Sequence, residues 1–483
     1  MVIKEELQRL IWEDFLHVPT SEQRCAVGLL VDFLTLPHAN AVFLLRGYAG
    51  TGKTSLVGAL VKVLGKLKRG VVLMSPTGRA AKVFSSYSGH AAYTIHRKIY
   101  RQKKFTGDIG EFGLNVNLHR NTVFIVDEAS MISNEGLTGT TFGTGRLLDD
   151  LIHYVYSGEG CRLMLVGDAA QLPPVGEEES PALSKEALQG YGLEVMSASL
   201  TQVVRQDRLS GILWNVTSIR KLITDGDIFE YPRVRFSGFP DVCRVTGEEL
   251  IERLEECYYK CGVDETIVVT RSNKRANVYN AGIRARILGY EEELSSGDRL
   301  IIAKNNYYWG AADHEKDNNA MDFIANGDVA KVVRFRRERS LYGFRFADVL
   351  LRFTDYDDRE EEVTLLLDTL QAEAPALPRE RALELFNAVW EDYPERINKR
   401  DRIKKVKEDP HYNALQVKYA YAVTCHKAQG GQWENVFLDL GYFTEDMLSP
   451  DYFRWLYTAF TRATQRLYLV NWPKEQTEDS VSI

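Results

Sequence analysis

The stretch "AVFLLRGYAGTGKTSLVGALVKVLGKL", residues 41 to 67, constrains the fold more than any other part of the chain. An apolar run is followed by a glycine-rich turn and then by leucines and valines at helical spacing, which predicts strand, tight loop and helix. In that setting G-x-x-x-x-G-K-T reads as a phosphate-binding loop. Gly47, Gly50 and Gly52 let the backbone wrap so that its N–H groups and the helix N-terminus face anionic oxygens. Tyr48, Ala49, Thr51 and Ser55 complete the expected nucleotide contacts, with Lys53 on the β- and γ-phosphates and Thr54 on Mg²⁺.

Around this loop the sequence predicts a parallel sheet. "AVFLLRG", "GVVLMSPT", "NTVFIVDEAS" and "CRLMLVGDAAQL" are short, nearly continuous apolar runs that end in polar or glycine residues. Such strands are covered on both faces, and ligands collect at their carboxyl ends. The second half repeats the design in "ETIVVTRSN", "ALQVKYAYAVTCHKAQG", "WENVFLDLG" and "QRLYLVNW". The expectation is therefore an α/β chain with two parallel-sheet cores. The first spans residues 1–195, with a β-hairpin inserted at about 99–120. The second spans 196–325 and 413–483, interrupted at 326–412 by a small barrel and a basic helical segment. In that segment "RINKRDRIKKVK" is a charge run of the kind that is usually a solvated helix face.

Two acids end one of the strands in "VFIVDEAS". Asp127 is the expected Mg²⁺ partner, and Glu128 is placed to polarise an attacking water. Alone they could equally cap a helix; beside a phosphate loop they point to hydrolysis. In "GDAAQLPPVG", Gln171 next to the stiff Pro173–Pro174 pair can sense a γ-phosphate and pass its presence along. Phosphoryl transfer spreads charge over equatorial oxygens, so an arginine reaching in from a separate element stabilises the transition state. Arg205 in "LTQVVRQ" and Arg462 in "YTAFTRATQ" are the candidates.

Taken in order, "GYAGTGKT", "SPTGRAA", "TIH", "IVDEAS", "GDAAQLPPVG", "LTQVVRQ", "NGD", "AVTCHKAQGGQWENV" and "YTAFTRAT" resemble the superfamily 1B DNA helicases of the RecD and Dda type. The resemblance runs from about residue 20 to residue 472. It implies two RecA-like P-loop NTPase cores with ATP between them, a pin-like hairpin on the first and an SH3-like barrel in the second. It further implies 5′→3′ movement along single-stranded DNA. Gln23 takes the place of an adenine-recognising glutamine. Thr77, Arg79, Thr94 and His96 take the places of strand contacts on the first core, and Thr270, Arg271, Asn273, Thr424, His426 and Lys427 those on the second. Hydroxyls and amides suit this task because they hold phosphate oxygens without reading bases. Many relatives carry an acid where this chain has Gln432, so a nucleotide-sugar contact there is not carried over.

Other features set limits. Phe105 or Phe112 in the hairpin offers a flat face to the last base pair of a duplex, although ordinary hairpin packing accounts for an aromatic there as well. Tyr307, Tyr308 and Trp309 either stack on bases or pack between domains. The net charge of −7 argues against a chain coated in nucleic acid but not against a local basic groove. The six cysteines lack a paired C-x-x-C, which fits a reducing compartment, and Cys257 with Cys261 reads as packing rather than zinc. No apolar run approaches membrane length and the opening stretch reads as an acid-bearing helix, so a cytoplasmic protein is expected. Expected partners are single-stranded and tailed duplex DNA, with replication or repair proteins as further candidates. A monomer is expected, because one chain supplies both faces of the nucleotide cleft. Two alternatives stay open: a DNA-stimulated ATPase that clamps or remodels partners, and an RNA-directed helicase of the same superfamily.

Overall fold

Two parallel sheets and a closed barrel organise the molecule. The computed structural model describes residues 2–102, 112–136, 143–204, 210–309, 323–356, 358–393 and 398–478. In the first half the strands are β1 (Ala41–Gly47), β2 (Val71–Ser75), β3 (Ala92–Thr94), β4 (Tyr100–Gln102), β5 (Phe112–Leu114), β6 (Val123–Val126), β7 (Arg162–Gly167) and β8 (Glu194–Leu200). Six of them form an all-parallel sheet in the order β3-β2-β6-β7-β1-β8. β1, β6 and β7 are buried nearly throughout, as strands covered by helices on both faces must be. β4 and β5 pair antiparallel as the base of the expected hairpin. Phe112 opens β5, while Phe105 lies outside the described residues.

The second half contributes β9 (Val242–Val245), β10 (Thr266–Thr270), β11 (Arg299–Ile302), β12 (Val329–Leu341), β13 (Phe344–Phe353), β14 (Arg359–Leu366), β15 (Leu415–Tyr419), β16 (Ala422–Thr424), β17 (Trp433–Asp439) and β18 (Ala463–Val470). A second all-parallel sheet runs β16-β10-β17-β18-β9. The remaining five strands close into a barrel, antiparallel except where β14 meets β15. The helices Arg379–Glu391 and Lys399–Lys407 pack on the barrel's outside through Leu385, Val389 and Val406 against Phe344 and Phe346.

Three expected boundaries shift. β8 carries the first sheet to Leu200, past residue 195. Its mixed burial, natural for an edge strand, hides it in an apolarity reading. The barrel takes β11 and β15 from outside 326–412, because closure needs strands on both flanks of the insertion. The run "ALQVKYAYAVT" is consequently divided between barrel and sheet. Buried Asn280 clamps the crossing point, accepting from the amides of Tyr421 (3.1 Å) and Ala422 (2.8 Å) and donating to the Ala422 carbonyl (2.9 Å).

The second half also reaches onto the first core. Tyr307 and Phe323, 5.7 Å apart, pack into the cluster containing Ile95 and Tyr100. Trp309 packs against the second core, its Nε1 donating to the Asn413 carbonyl (2.8 Å), with Tyr308 edge-on to it. Of the two readings for these aromatics, the contacts are those of packing. On the barrel, Thr354 accepts through its carbonyl from Lys82 Nζ (2.6 Å). Asp328 of the same barrel sits so near Gly78 that a Cβ there would lie 2.9 Å from its Oδ1. Asp328 accepts from Tyr356 Oη (2.9 Å) and the Ala325 amide (2.7 Å), yet burial pushes its carboxyl up to about 7.

Candidate functional site

β1 delivers the chain into the phosphate loop, and the helix Lys53–Lys66 starts at the lysine itself. The turn between them requires left-handed backbone at Gly50 (φ +75) and Gly52 (φ +83), where a side chain is strained. Gln23 braces the loop. It belongs to a capping box with Thr20 at the start of the helix Ser21–Thr35, and its Nε2 donates to the Thr51 carbonyl (3.0 Å). A Cβ on Gly52 would lie 2.5 Å from that nitrogen, so the strut and the glycine are mutually required. Lys53 Nζ donates to the carbonyls of Gly47 (2.6 Å) and Tyr48 (2.9 Å), which holds the ammonium over the loop.

The acids follow β6. Asp127 Oδ2 accepts from Tyr87 Oη (2.6 Å), and Oδ1 accepts from the amide of Glu128 (2.9 Å). Glu128 adopts φ +54, an unfavourable conformation for a residue with a side chain and one that clusters at functional sites. Burial drives both carboxyls upward; Tyr87 opposes this at Asp127, and Arg462 opposes it at Glu128. After β7, Asp168 Oδ1 accepts from the Ala170 amide (3.0 Å), which shapes the loop carrying Gln171. The Gln171 side chain is buried and its Oε1 has no partner.

Opposite stands Arg462 of the second lobe. Its Nε donates to the Thr458 carbonyl (3.0 Å), Nη1 to the Gly431 carbonyl (3.0 Å) and Nη2 to Thr461 Oγ1 (3.0 Å). A cleft of about 850 Å³ lies between the lobes, lined by Lys53, Thr54, Asp127, Glu128, Gln171 and Arg462 among others. That volume suits a nucleotide. Gln23 and Gln432 line it as well, while Arg205 lies outside the described residues.

The expected strand contacts converge differently. Thr77 and Thr94 are the N-caps of the helices Gly78–Ser88 and Ile95–Ile99, Asn273 opens the helix Asn273–Arg286, and Thr424 precedes the short helix Cys425–Ala428. All four lie at the carboxyl ends of β2, β3, β10 and β16, the outer pair of strands at one edge of each sheet. Arg79 turns toward the second lobe, donating to the Gln432 carbonyl (3.0 Å) and lying 4.4 Å from the Trp433 ring. Desolvation pushes His96 down to about 4, so it is neutral. Arg271 lies over Phe443 at 4.9 Å, and His426 is exposed. Lys427 Nζ is buried without a hydrogen-bond partner, and burial pushes it down to about 8. Thr270 corrects the expectation: fully buried, it spends its hydroxyl on the Ser272 carbonyl (3.1 Å) and shapes the turn.

Comparison with known proteins places this geometry. The AAA domain family matches residues 21–221, and the UvrD-like helicase C-terminal domain matches 419–470, the two sides of the cleft. The ATP-dependent RecD2 DNA helicase of Deinococcus radiodurans is 32% identical over 444 residues, 88% of this chain and 46% of that protein. The chain is similar to the RecD and Dda type of the superfamily 1B helicases. Uncharacterized proteins MJ1519 of Methanocaldococcus jannaschii (24% identical) and R530 of Acanthamoeba polyphaga mimivirus (22%) align over 94% and 92% of the chain. The chain spans 38% of MJ1519, 98% of R530 and under half of RecD2. Among solved structures, the Pif1 helicases of Bacteroides with ADP-AlF3 and ssDNA (TM-score 0.47, 15% identical, 95% of this chain and 94% of that) and of Candida albicans (0.45, 16%, 96% of each) align along the chain.

Two tyrosines stand out that the sequence did not single out. Tyr87, near the end of the helix that begins at Thr77, holds Asp127. Tyr457, in the helix Pro450–Phe460, donates to Asp168 Oδ2 (2.7 Å) and accepts from the Ala49 amide (2.9 Å). Both partners are distant in sequence, and an apolar helix face gives an aromatic an ordinary packing role, so no local pattern marks either tyrosine. Among the described residues no helix is long and apolar enough to cross a membrane.

Proposed function

We propose that the protein is an ATP-dependent DNA helicase that walks 5′→3′ on single-stranded DNA and opens duplex as it advances. The observation that carries this reading is the convergence of Lys53 and Glu128 from one lobe and Arg462 from the other on a single cleft. ATP binding exchanges the carbonyl contacts of Lys53 for phosphate oxygens. Glu128, whose carboxyl burial pushes upward while the charge of Arg462 pulls it back, is positioned to take a proton from the attacking water. The two N–H groups of Arg462 that its scaffold leaves over meet the charge developing on the γ-phosphoryl. Thr54 and Asp127 are oxygen donors of the kind Mg²⁺ prefers, and they would hold it; the ion would neutralise charge between the β- and γ-phosphates.

Two grips turn the chemistry into movement. The helix N-termini at Thr77 and Thr94 form one, and those at Asn273 and Thr424, with the unpaired Lys427, form the other. Backbone amides at helix starts hold phosphates without reading sequence. Closing the cleft on ATP shortens the distance between grips, and hydrolysis restores it; alternating grip strength makes the displacement one-directional. The hairpin from β4 to β5 is the element we assign to strand separation, and one chain suffices as the working unit. The test compares steady-state ATP hydrolysis with single-stranded DNA and with RNA of the same sequence. DNA is expected to stimulate strongly and RNA weakly. Equal stimulation would redirect the reading to an RNA-directed enzyme, and stimulation without any duplex opening to a clamp.

A further inference from the structure

We infer that Tyr457 is a positioning residue that ties the phosphate loop and the γ-phosphate-sensing loop to the lobe carrying Arg462, so that lobe closure and hydrolytic geometry are set together. The inference rests on the nucleotide reading above and goes beyond it in assigning how the cleft is coupled. The Tyr457 hydroxyl is fully buried and serves two partners: it accepts from the Ala49 amide (2.9 Å) and donates to Asp168 Oδ2 (2.7 Å). One oxygen of the second lobe therefore touches two separate loops of the first. Asp168 in turn fixes the Ala170 amide, one residue before Gln171.

The same loop is clasped twice more from the second lobe. Thr458 Oγ1 accepts from the Leu172 amide (2.8 Å), and Gln429 Nε2 donates to the Leu172 carbonyl (2.8 Å). Gln171 thus belongs to the first lobe by chain but is held on both sides by the second. Separating the lobes breaks these bonds together, and Gln171 and Ala49 lose their positions in the same event. A hydroxyl shared by two partners suits such a link, because neither bond survives without the tyrosine in place. The γ-phosphate-reading side chain and the start of the phosphate loop are consequently held in register with the transition-state arginine only while the lobes are closed.

The test replaces the hydroxyl alone. Tyr457→Phe keeps the ring and removes both bonds. Tyr452→Phe, on the same helix, removes a buried hydroxyl whose partner is Gln476 (2.6 Å), away from the cleft, and so controls for lost stability. Thr458→Val removes the Leu172 clasp independently. Two readouts are taken on the full chain: amide hydrogen exchange of the segments 47–50 and 168–172 in nucleotide-free protein, and kcat and KM for ATP with saturating single-stranded DNA. The expected result for Tyr457→Phe is at least tenfold faster exchange in both segments and a tenfold or larger fall in kcat. KM for ATP stays within threefold, because the amides of residues 52–54 still face the phosphates. Thr458→Val shifts the second segment and kcat in the same direction, and Tyr452→Phe shifts neither. Unchanged exchange, unchanged kcat, or a Tyr457→Phe profile matching Tyr452→Phe overturns the inference. Absence of DNA-stimulated hydrolysis in the parent protein would overturn the nucleotide reading instead, and the exchange result would still judge the link itself.

Discussion

Replacing Arg462 by lysine isolates the contribution of a fork-shaped cation in the cleft. A guanidinium has five N–H donors. Three are spent on Thr458, Gly431 and Thr461, which leaves two for a ligand from a side chain only 2% exposed. Lysine keeps the charge but offers a single ammonium, which cannot hold that scaffold and reach a phosphoryl oxygen in two directions. Two charge-assisted hydrogen bonds made in the transition state are worth about 1.5–3 kcal/mol each. Their loss is expected to lower kcat by roughly 10²–10⁴, at 1.36 kcal/mol per tenfold. The scaffold bonds are made in the resting protein too, so some stability is lost, about 1–3 kcal/mol if the ammonium recovers little of them. The assay is ATP turnover with saturating single-stranded DNA, alongside binding of a fluorescent ADP analogue and a thermal melt. Because the lost bonds belong to the transition state, kcat and kcat/KM should fall together while ADP affinity holds. A folded Arg462→Lys protein whose kcat stays within threefold of the parent would refute the reasoning, as would a loss confined to KM.

Tyr87→Phe removes the hydroxyl that orients Asp127 and is expected to raise the Mg²⁺ concentration for half-maximal hydrolysis about tenfold, in line with other partners of metal ligands, read by Mg²⁺ titration. Gly52→Ala must place a Cβ against Gln23 in left-handed backbone, at a cost of about 1–2 kcal/mol before any steric term, and should abolish nucleotide binding measured by calorimetry. Lys427 gives a pH signature. Its ammonium is depressed to about 8 in the folded chain, so folding carries a penalty that is full below pH 8 and fades as pH rises toward the ordinary lysine value. A bound phosphate reverses that preference, so single-strand affinity should fall as pH rises from about 8 to 10, with proton uptake on binding near pH 8.5. Lys427→Gln should bind more weakly at pH 7 and show a flat profile in fluorescence anisotropy.

The parts of this fold legible in the sequence are those written in local patterns. The phosphate loop, the acids after β6 and the buried strands of each sheet announce themselves through glycine placement and unbroken apolar runs, and residues on both sides of the cleft were found that way. The barrel itself was legible but its closing strands were not, because β11 and β15 become neighbours only through pairing across more than a hundred residues. β8 escaped notice because an edge strand alternates exposure and lacks a continuous apolar run. Thr270 shows the opposite failure: a hydroxyl in a motif reads as a contact, whereas its surroundings bury it and turn it onto its own backbone. Tyr87 and Tyr457 act through a single phenolic oxygen each, and composition or spacing cannot distinguish such an oxygen from the rest of a packed aromatic.

The central claim is that hydrolysis between the lobes is converted into directed travel along one strand. Strand separation of duplexes carrying a 5′ tail, a 3′ tail or no tail, with ATP and Mg²⁺ in single-turnover conditions, tests it most directly. The expected result is rapid opening of the 5′-tailed duplex alone, and none by Lys53→Ala protein. Equal opening of the 5′- and 3′-tailed duplexes, or separation that persists in Lys53→Ala, would contradict the account.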